Sequence, residues 1–289
     1  MDDDNAIAIE AWNTILFEKF TRFRHLLLTG LEGHSDEALA RHPFPTGTRV
    51  LDVGCGFGDT TRAIARQVGP TGQAVGVDCA RSFIDQAAAE ARESGVENAA
   101  FFVGDVQLDD LRGPYERAFS RFGTMFFSAP GAALRNIRRS LAPGGRLTMI
   151  VWRKREANPW LHEAEKRVRG IVPVVEPEAT DQVHCGPGPF SMAGADMVSD
   201  MLQSAGYHRV AFERFDADIC IGRNIDEAVA FAMALGPAGE ILRLAGEEGQ
   251  QRAAEVDAAL RETLGVFARD EGAIWAPSST WFVSASNPG

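Results

Sequence analysis

The stretch from Val50 to Thr61, Val-Leu-Asp-Val-Gly-Cys-Gly-Phe-Gly-Asp-Thr-Thr, constrains this chain more than any other. A short apolar run leads into three alternating glycines, and helix-forming sequence follows at once. Glycine lets the backbone take positive φ and lets a ligand approach it closely. The first turn of the helix leaves N–H groups free to receive an anionic group. The dinucleotide fingerprint G-x-G-x-x-G is not met: the third glycine falls one residue early and Asp59 takes its place. Asp52, two residues before Gly54, would repel a pyrophosphate but suits a ligand carrying an ammonium or sulfonium.

The flanking sequence repeats the strand–helix rhythm. Ala74 to Val77, Ala99 to Val103, Arg117 to Ser120 and Arg146 to Trp152 read as further strands. Helices are expected over 60–68, 81–94 and 132–141, the last stopped by Pro143-Gly144-Gly145. His208 to Phe215 and Trp281 to Ser284 complete seven strands, the last antiparallel at the edge. This alternation predicts an α/β fold, a doubly wound, mostly parallel, Rossmann-like sheet with helices on both faces. The expected layout is an N-terminal helical cap (1–45), a core (46–152), an insertion or lid (153–193), a core continuation (194–220), a helical insertion (221–277) and a final strand (278–289). The first insertion leaves the C-terminal end of the fifth strand, and the second leaves the next strand and returns to an antiparallel one on that same side, where ligands bind in such folds. They should therefore roof the site. Their apolar content predicts a greasy pocket for a small molecule, and Gly186 to Pro189 and Gly236 to Gly239 read as hinges of mobile lids.

Charge and composition narrow the partners. With 29 Lys+Arg against 40 Asp+Glu, the formal charge of −11 disfavours nucleic acid. Cys55, Cys79, Cys185 and Cys220 form no C-x-x-C pair and read as reduced thiols. The N-terminus is acidic where a secretory signal is basic, and the apolar runs are too short to span a bilayer, so a cytoplasmic protein without membrane contact is expected. The sequence leaves a homodimer open.

Two more carboxylates complete the pattern. Asp78 ends the second strand, where it can accept from both hydroxyls of a ribose, and Asp105 ends the third, within reach of an adenine amino group. Three acids along one rim describe an adenosine carrying a cationic amino-acid tail. Together with Leu141-Ala142-Pro143-Gly144-Gly145 before the fifth strand, these motifs resemble the class I S-adenosylmethionine-dependent methyltransferases over residues 48–152. The segment Phe119 to Phe127 is similar to that of small-molecule members of the ubiquinone-biosynthesis type. It departs from the Asn-Pro-Pro-Tyr of members that methylate bases or amide nitrogens.

The resemblance implies S-adenosyl-L-methionine as cofactor, S-adenosyl-L-homocysteine as product, and a methyl group passed to an O, N or C atom of a small organic acceptor. Cofactor-binding residues are then Asp52, Gly54, Cys55, Gly56, Thr60, Asp78, Cys79, Asp105, Val106 and Ser120. Trp12, Phe20, Trp152, Trp160 and Phe190 are candidates for closing over the substrate. His162 and His184 are nominated as general bases, and Arg121 as a side chain reaching into the site. His25, His34 and His42 read as peripheral, and no acidic cluster suggests a metal. The alternatives are a protein- or tRNA-directed methyltransferase and a module that binds the cofactor or its demethylated product without turnover.

Overall fold

The computed structural model describes residues 3–173 and 187–289. Seven strands form one sheet: β1 (Arg49–Val53), β2 (Gln73–Asp78), β3 (Ala99–Val103), β4 (Tyr115–Arg121), β5 (Leu141–Trp152), β6 (His208–Gly222) and β7 (Ile274–Ser286). Their spatial order is β3-β2-β1-β4-β5-β7-β6. The first five run parallel, and β7 is antiparallel to both β5 and β6. The order reverses between β1 and β4, which opens a crevice at their C-terminal ends.

Strand sequences alternate between two cores, because successive side chains point to opposite faces. Val50, Ala74, Phe119, Ile150 and Phe282 pack on one face with Ile64, Ala65 and Val68 of α5 (Asp59–Val68) and Ala38 of α4 (Glu32–Arg41). Leu51, Val77, Leu147, Met149, Val151 and Val283 pack on the other, with Leu134 and Ile137 of α7 (Pro130–Ser140) and Val198 and Leu202 of α9 (Ala195–Ser204). α6 (Arg81–Glu93) links β2 to β3.

The placement of β7 corrects the expectation of an edge strand. It lies between β5 and β6, with Phe282, Val283 and Ala285 all buried. The edge belongs to β6, whose polar residues suit that position. Both strands are also longer than their apolar runs. Asp216 pairs with Arg214 and Asp218 with Arg269 at the surface, so these acids extend the strand instead of ending it. Pro277 is tolerated because β5 ends opposite Thr280, leaving only β6 beside it.

Helical material covers the C-terminal ends of the strands. Ahead of α4 come α1 (Asp3–Asn13), α2 (Ile15–Arg22) and α3 (Arg24–Leu28). α8 (Pro159–Arg169) follows β5, and α10 (Ile225–Leu235), α11 (Pro237–Leu244) and α12 (Gly246–Gly265) join β6 to β7. α8 packs on α11 and α12, so segments far apart in sequence share one layer. Asn224 caps α10 by accepting from Glu227 N–H at 2.9 Å, as its capping-box spacing predicts. Glu227 returns a bond to the N–H of Arg223, one residue ahead of the cap. Gly236-Pro237, read from sequence as a hinge, starts α11 with proline in its first turn.

Candidate active site

The glycine turn is built as its sequence requires. Gly54, Gly56 and Gly58 have φ of +67°, +52° and +72°. A side chain at Gly58 would strike Phe101 and Ala87, so this glycine lets α5 seat against β3 and α6. Nothing lies within 4 Å of a Cβ built at Gly56, so a ligand can approach the backbone there.

The turn borders a cavity of about 580 Å³, well within the usual range for small-molecule sites. Nine of the ten expected cofactor residues line it: Asp52, Gly54, Cys55, Gly56, Thr60, Asp78, Cys79, Asp105 and Val106. Ser120 does not. It is fully buried and donates to Val53 O at 2.8 Å, tying β4 to β1 behind the turn.

Each rim acid has a structural tie. Asp52 is buried and accepts from the Thr61 hydroxyl at 2.6 Å. Burial pushes its carboxyl up to about 6, against the pull of Thr61 and the charge of Arg121. Asp78 accepts from Gly56 N and Ala80 N, each at 3.0 Å, which holds the glycine turn to the end of β2. Burial raises its carboxyl too, opposed by those N–H groups. Asp105 accepts from Asn5 Nδ2 at 2.7 Å and from Gln107 N at 2.9 Å, so α1 is fastened across the rim.

All five expected substrate residues, Trp12, Phe20, Trp152, Trp160 and Phe190, line the same cavity. Trp12 stands edge-on to Phe20 and Phe126, each at 5.2 Å. Trp160 stacks on Phe231 of α10, and Phe122 stacks on Trp152 at 4.4 Å. Sequence reasoning missed Asn5, Lys19, Leu26 to Leu28, Leu31 and Phe83, which also face the space. The triple leucine was the available signal, because it exceeds what one face of a short helix can bury.

The candidate bases fare differently. His162 is half-buried on α8 and does not line the cavity, and His184 lies outside the described residues. Arg121 lines it. Burial drives the Cys55 and Cys79 thiols well above their ordinary range, so both are neutral near pH 7. His34 is not peripheral: it is fully buried, with ring nitrogens 2.8 Å from Ser278 Oγ and 3.2 Å from Thr280 Oγ1. The helical periodicity of α4 points it at the sheet, where it stands edge-on to Phe122, Trp152 and Phe215. Among the described residues no group of His, Cys, Asp and Glu could hold a metal, and no helix is long and apolar enough to cross a membrane.

Residues 45–186 match a family described as a methyltransferase domain. Over this stretch, just under half of its length, the chain is similar to methyltransferase domains. It is 31% identical over 174 residues to nocamycin O-methyltransferase of Saccharothrix syringae, covering 57% of this chain and 60% of that one. It is 33% identical over 115 residues to a ubiquinone/menaquinone biosynthesis C-methyltransferase of Pseudomonas aeruginosa, covering 39% and 45%. The chain thus spans less than two thirds of these relatives. The crystal structure of the YcgJ protein of Bacillus subtilis superposes with a TM-score of 0.58 at 17% identity, over 89% of this chain and 99% of that one, a likeness of fold.

The residues present fit the family's cofactor. The open side of Gly56 and the carboxylates of Asp52 and Asp78 offer a close backbone approach and acceptors for a cationic, hydroxyl-rich ligand.

Proposed function

We propose that this chain transfers the methyl group of S-adenosyl-L-methionine to an O, N or C atom of a small, largely apolar organic molecule. The carrying observation is continuity: one cavity runs from the acidic rim of β1, β2 and β3 into a chamber walled by Leu27, Leu31, Trp160, Ile219, Phe231 and Leu235. Donor and acceptor can then meet without crossing solvent.

In this reading Asp78 receives the ribose hydroxyls, and Asp52 faces the ammonium. Asp105 serves the adenine edge with the lone pairs that Asn5 and Gln107 leave free. The cofactor supplies an electrophilic methyl on a sulfonium. The chain supplies alignment and exclusion of water, which favour an in-line displacement between held partners. No described histidine lines the cavity. The Arg121 guanidinium keeps its proton, and the two cysteines facing the rim are neutral. The fitting acceptor is therefore one whose nucleophilic atom offers a lone pair or is already ionised in water. Its small size and apolar character are supported by the chamber and by the small-molecule relatives.

The test is incubation of the full chain with methyl-labelled S-adenosylmethionine and a panel of apolar phenols, enols and amines, read by mass spectrometry. Label in a panel member, with S-adenosylhomocysteine formed, is the expected result. Label only in added RNA or protein would overturn the small-molecule reading. Tight S-adenosylhomocysteine binding with no product from any substrate would leave a binding module.

A further inference from the structure

Arg121 ends β4, paired in register with Ile150 of β5 and one strand away from Asp52. It lines the cavity between the glycine turn and the stacked pair Phe122 and Trp152. A guanidinium carries five N–H donors. Among the described residues one bond is made, from Nη1 to Ser35 Oγ of α4 at 3.1 Å, and no carboxylate stands within ion-pairing distance. The acids of the surrounding elements act on it only through space: Asp52 of β1, Asp59 of α5, and Glu32 and Asp36 of α4. His34, also on α4, is neutral, its pKa lowered to about 4 by burial and by this same arginine.

Arg121 is half-buried, and a charge withdrawn that far from water ordinarily finds a partner, because desolvation without pairing is costly. Arginine does not escape that cost by losing its proton. Other guanidiniums on the cavity wall are already engaged: Arg155 with Glu165, and Arg243 with Glu240. Arg121 alone combines depth, a position where the donor rim meets the apolar chamber, and unsatisfied donors among the described residues.

We propose that Arg121 is the receptor for a carboxylate-type oxyanion that a ligand carries into this cavity. Its planar fork matches such a group with two parallel hydrogen bonds, and the absent counter-charge is the ligand's to supply. The anion has two sources within the methyltransferase reading, on which this proposal rests: the amino-acid carboxylate of the donor, or an ionised oxygen of the acceptor.

The experiment is calorimetry on wild type and Arg121→Gln with four probes: S-adenosylhomocysteine, 5′-methylthioadenosine, 2-naphthoate and 2-naphthalenemethanol. The thioadenosine lacks the amino-acid tail, and the naphthalene alcohol lacks the charge. If the donor supplies the anion, R121Q weakens S-adenosylhomocysteine tenfold or more and leaves methylthioadenosine within twofold. If the acceptor supplies it, R121Q weakens 2-naphthoate tenfold or more and spares both S-adenosylhomocysteine and the alcohol. Equal affinities of both proteins for S-adenosylhomocysteine and 2-naphthoate overturn the proposal. Should R121Q not fold, Arg121→Lys, which keeps the charge and loses the fork, is expected to weaken the same probe at least threefold; no change overturns the proposal. Failure of wild type to bind S-adenosylhomocysteine would sink the methyltransferase reading, and the naphthalene pair would still judge Arg121.

Discussion

At the scale of single residues, the rim acids do two jobs at once. Asp78 shapes the glycine turn through Gly56 N and is proposed to hold the ribose. Asp78→Ala should weaken S-adenosylhomocysteine by about 1.5–3 kcal/mol, the usual worth of hydrogen bonds to a charged group. Unchanged affinity by calorimetry would refute the ribose assignment. Buried His34 and Asp52 predict opposed pH effects on stability. The unfolded imidazole takes its proton near 6.5, the folded one at about 4, so between these values the unfolded chain holds more protons and stability falls with falling pH. For Asp52 the folded carboxyl protonates at about 6 and the unfolded one near 3.8, so stability rises as pH falls across that window. Each interval is worth roughly 3 kcal/mol at most, so the two nearly cancel in the wild type. Removing one should expose the other. His34→Gln is expected to gain stability relative to wild type as pH drops from 6.5 to 4, measured by urea midpoints. Parallel curves for the two proteins would count against a buried neutral imidazole.

Among elements, the N-terminal helices decide whether the rim is closed. Asn5 donates to Asp105 and also accepts from Gln107 Nε2 at 2.8 Å, so α1 is latched to the loop after β3. Farther along, Arg24 of α3 binds Glu90 of α6 at 2.5 Å and lies over the Phe57 ring. Asn5→Ala should therefore free α1 while α3 stays docked. Amide exchange in α1 should lose about 1.5–3 kcal/mol of protection, with β1 to β5 unchanged. Equal protection in both proteins would show that apolar packing by Trp12 and Leu16 suffices without the latch. Neither tie was legible in the sequence, since each joins residues 66 or more positions apart. What was legible is local: the glycine turn, the α10 cap, and five parallel strands whose apolar runs each end at a glycine or a charged residue. β6 and β7 were read short because Asp216, Asp218 and Pro277 look like strand breakers until the neighbouring strand is known. Ser120 was misplaced for a related reason, because period alone does not say that its hydroxyl turns back onto β1.

For the molecule as a whole, the sheet supplies the proposed donor half of the cavity and the appended helices supply the other half. The division is visible in the sequence for part of the roof, since α8 lies inside the matched stretch. The matched methyltransferase domain ends at residue 186, whereas α10 and α11 come from the segment between β6 and β7. Specificity for the donor and for the acceptor should then be separable by mutation. Ala234 on α10 lines the chamber and is partly buried. Ala234→Trp fills that space with a large ring while leaving β1, β2 and β3 untouched. S-adenosylhomocysteine affinity should stay within about twofold, a difference well under 1.4 kcal/mol. Binding of 2-naphthalenemethanol should fall tenfold or more, as should turnover of any acceptor found. A comparable loss of both ligands would mean that the two halves act as one pocket. A loss of neither would place the acceptor outside the chamber, and the roof of helices would then need another explanation than shaping a site for an apolar molecule.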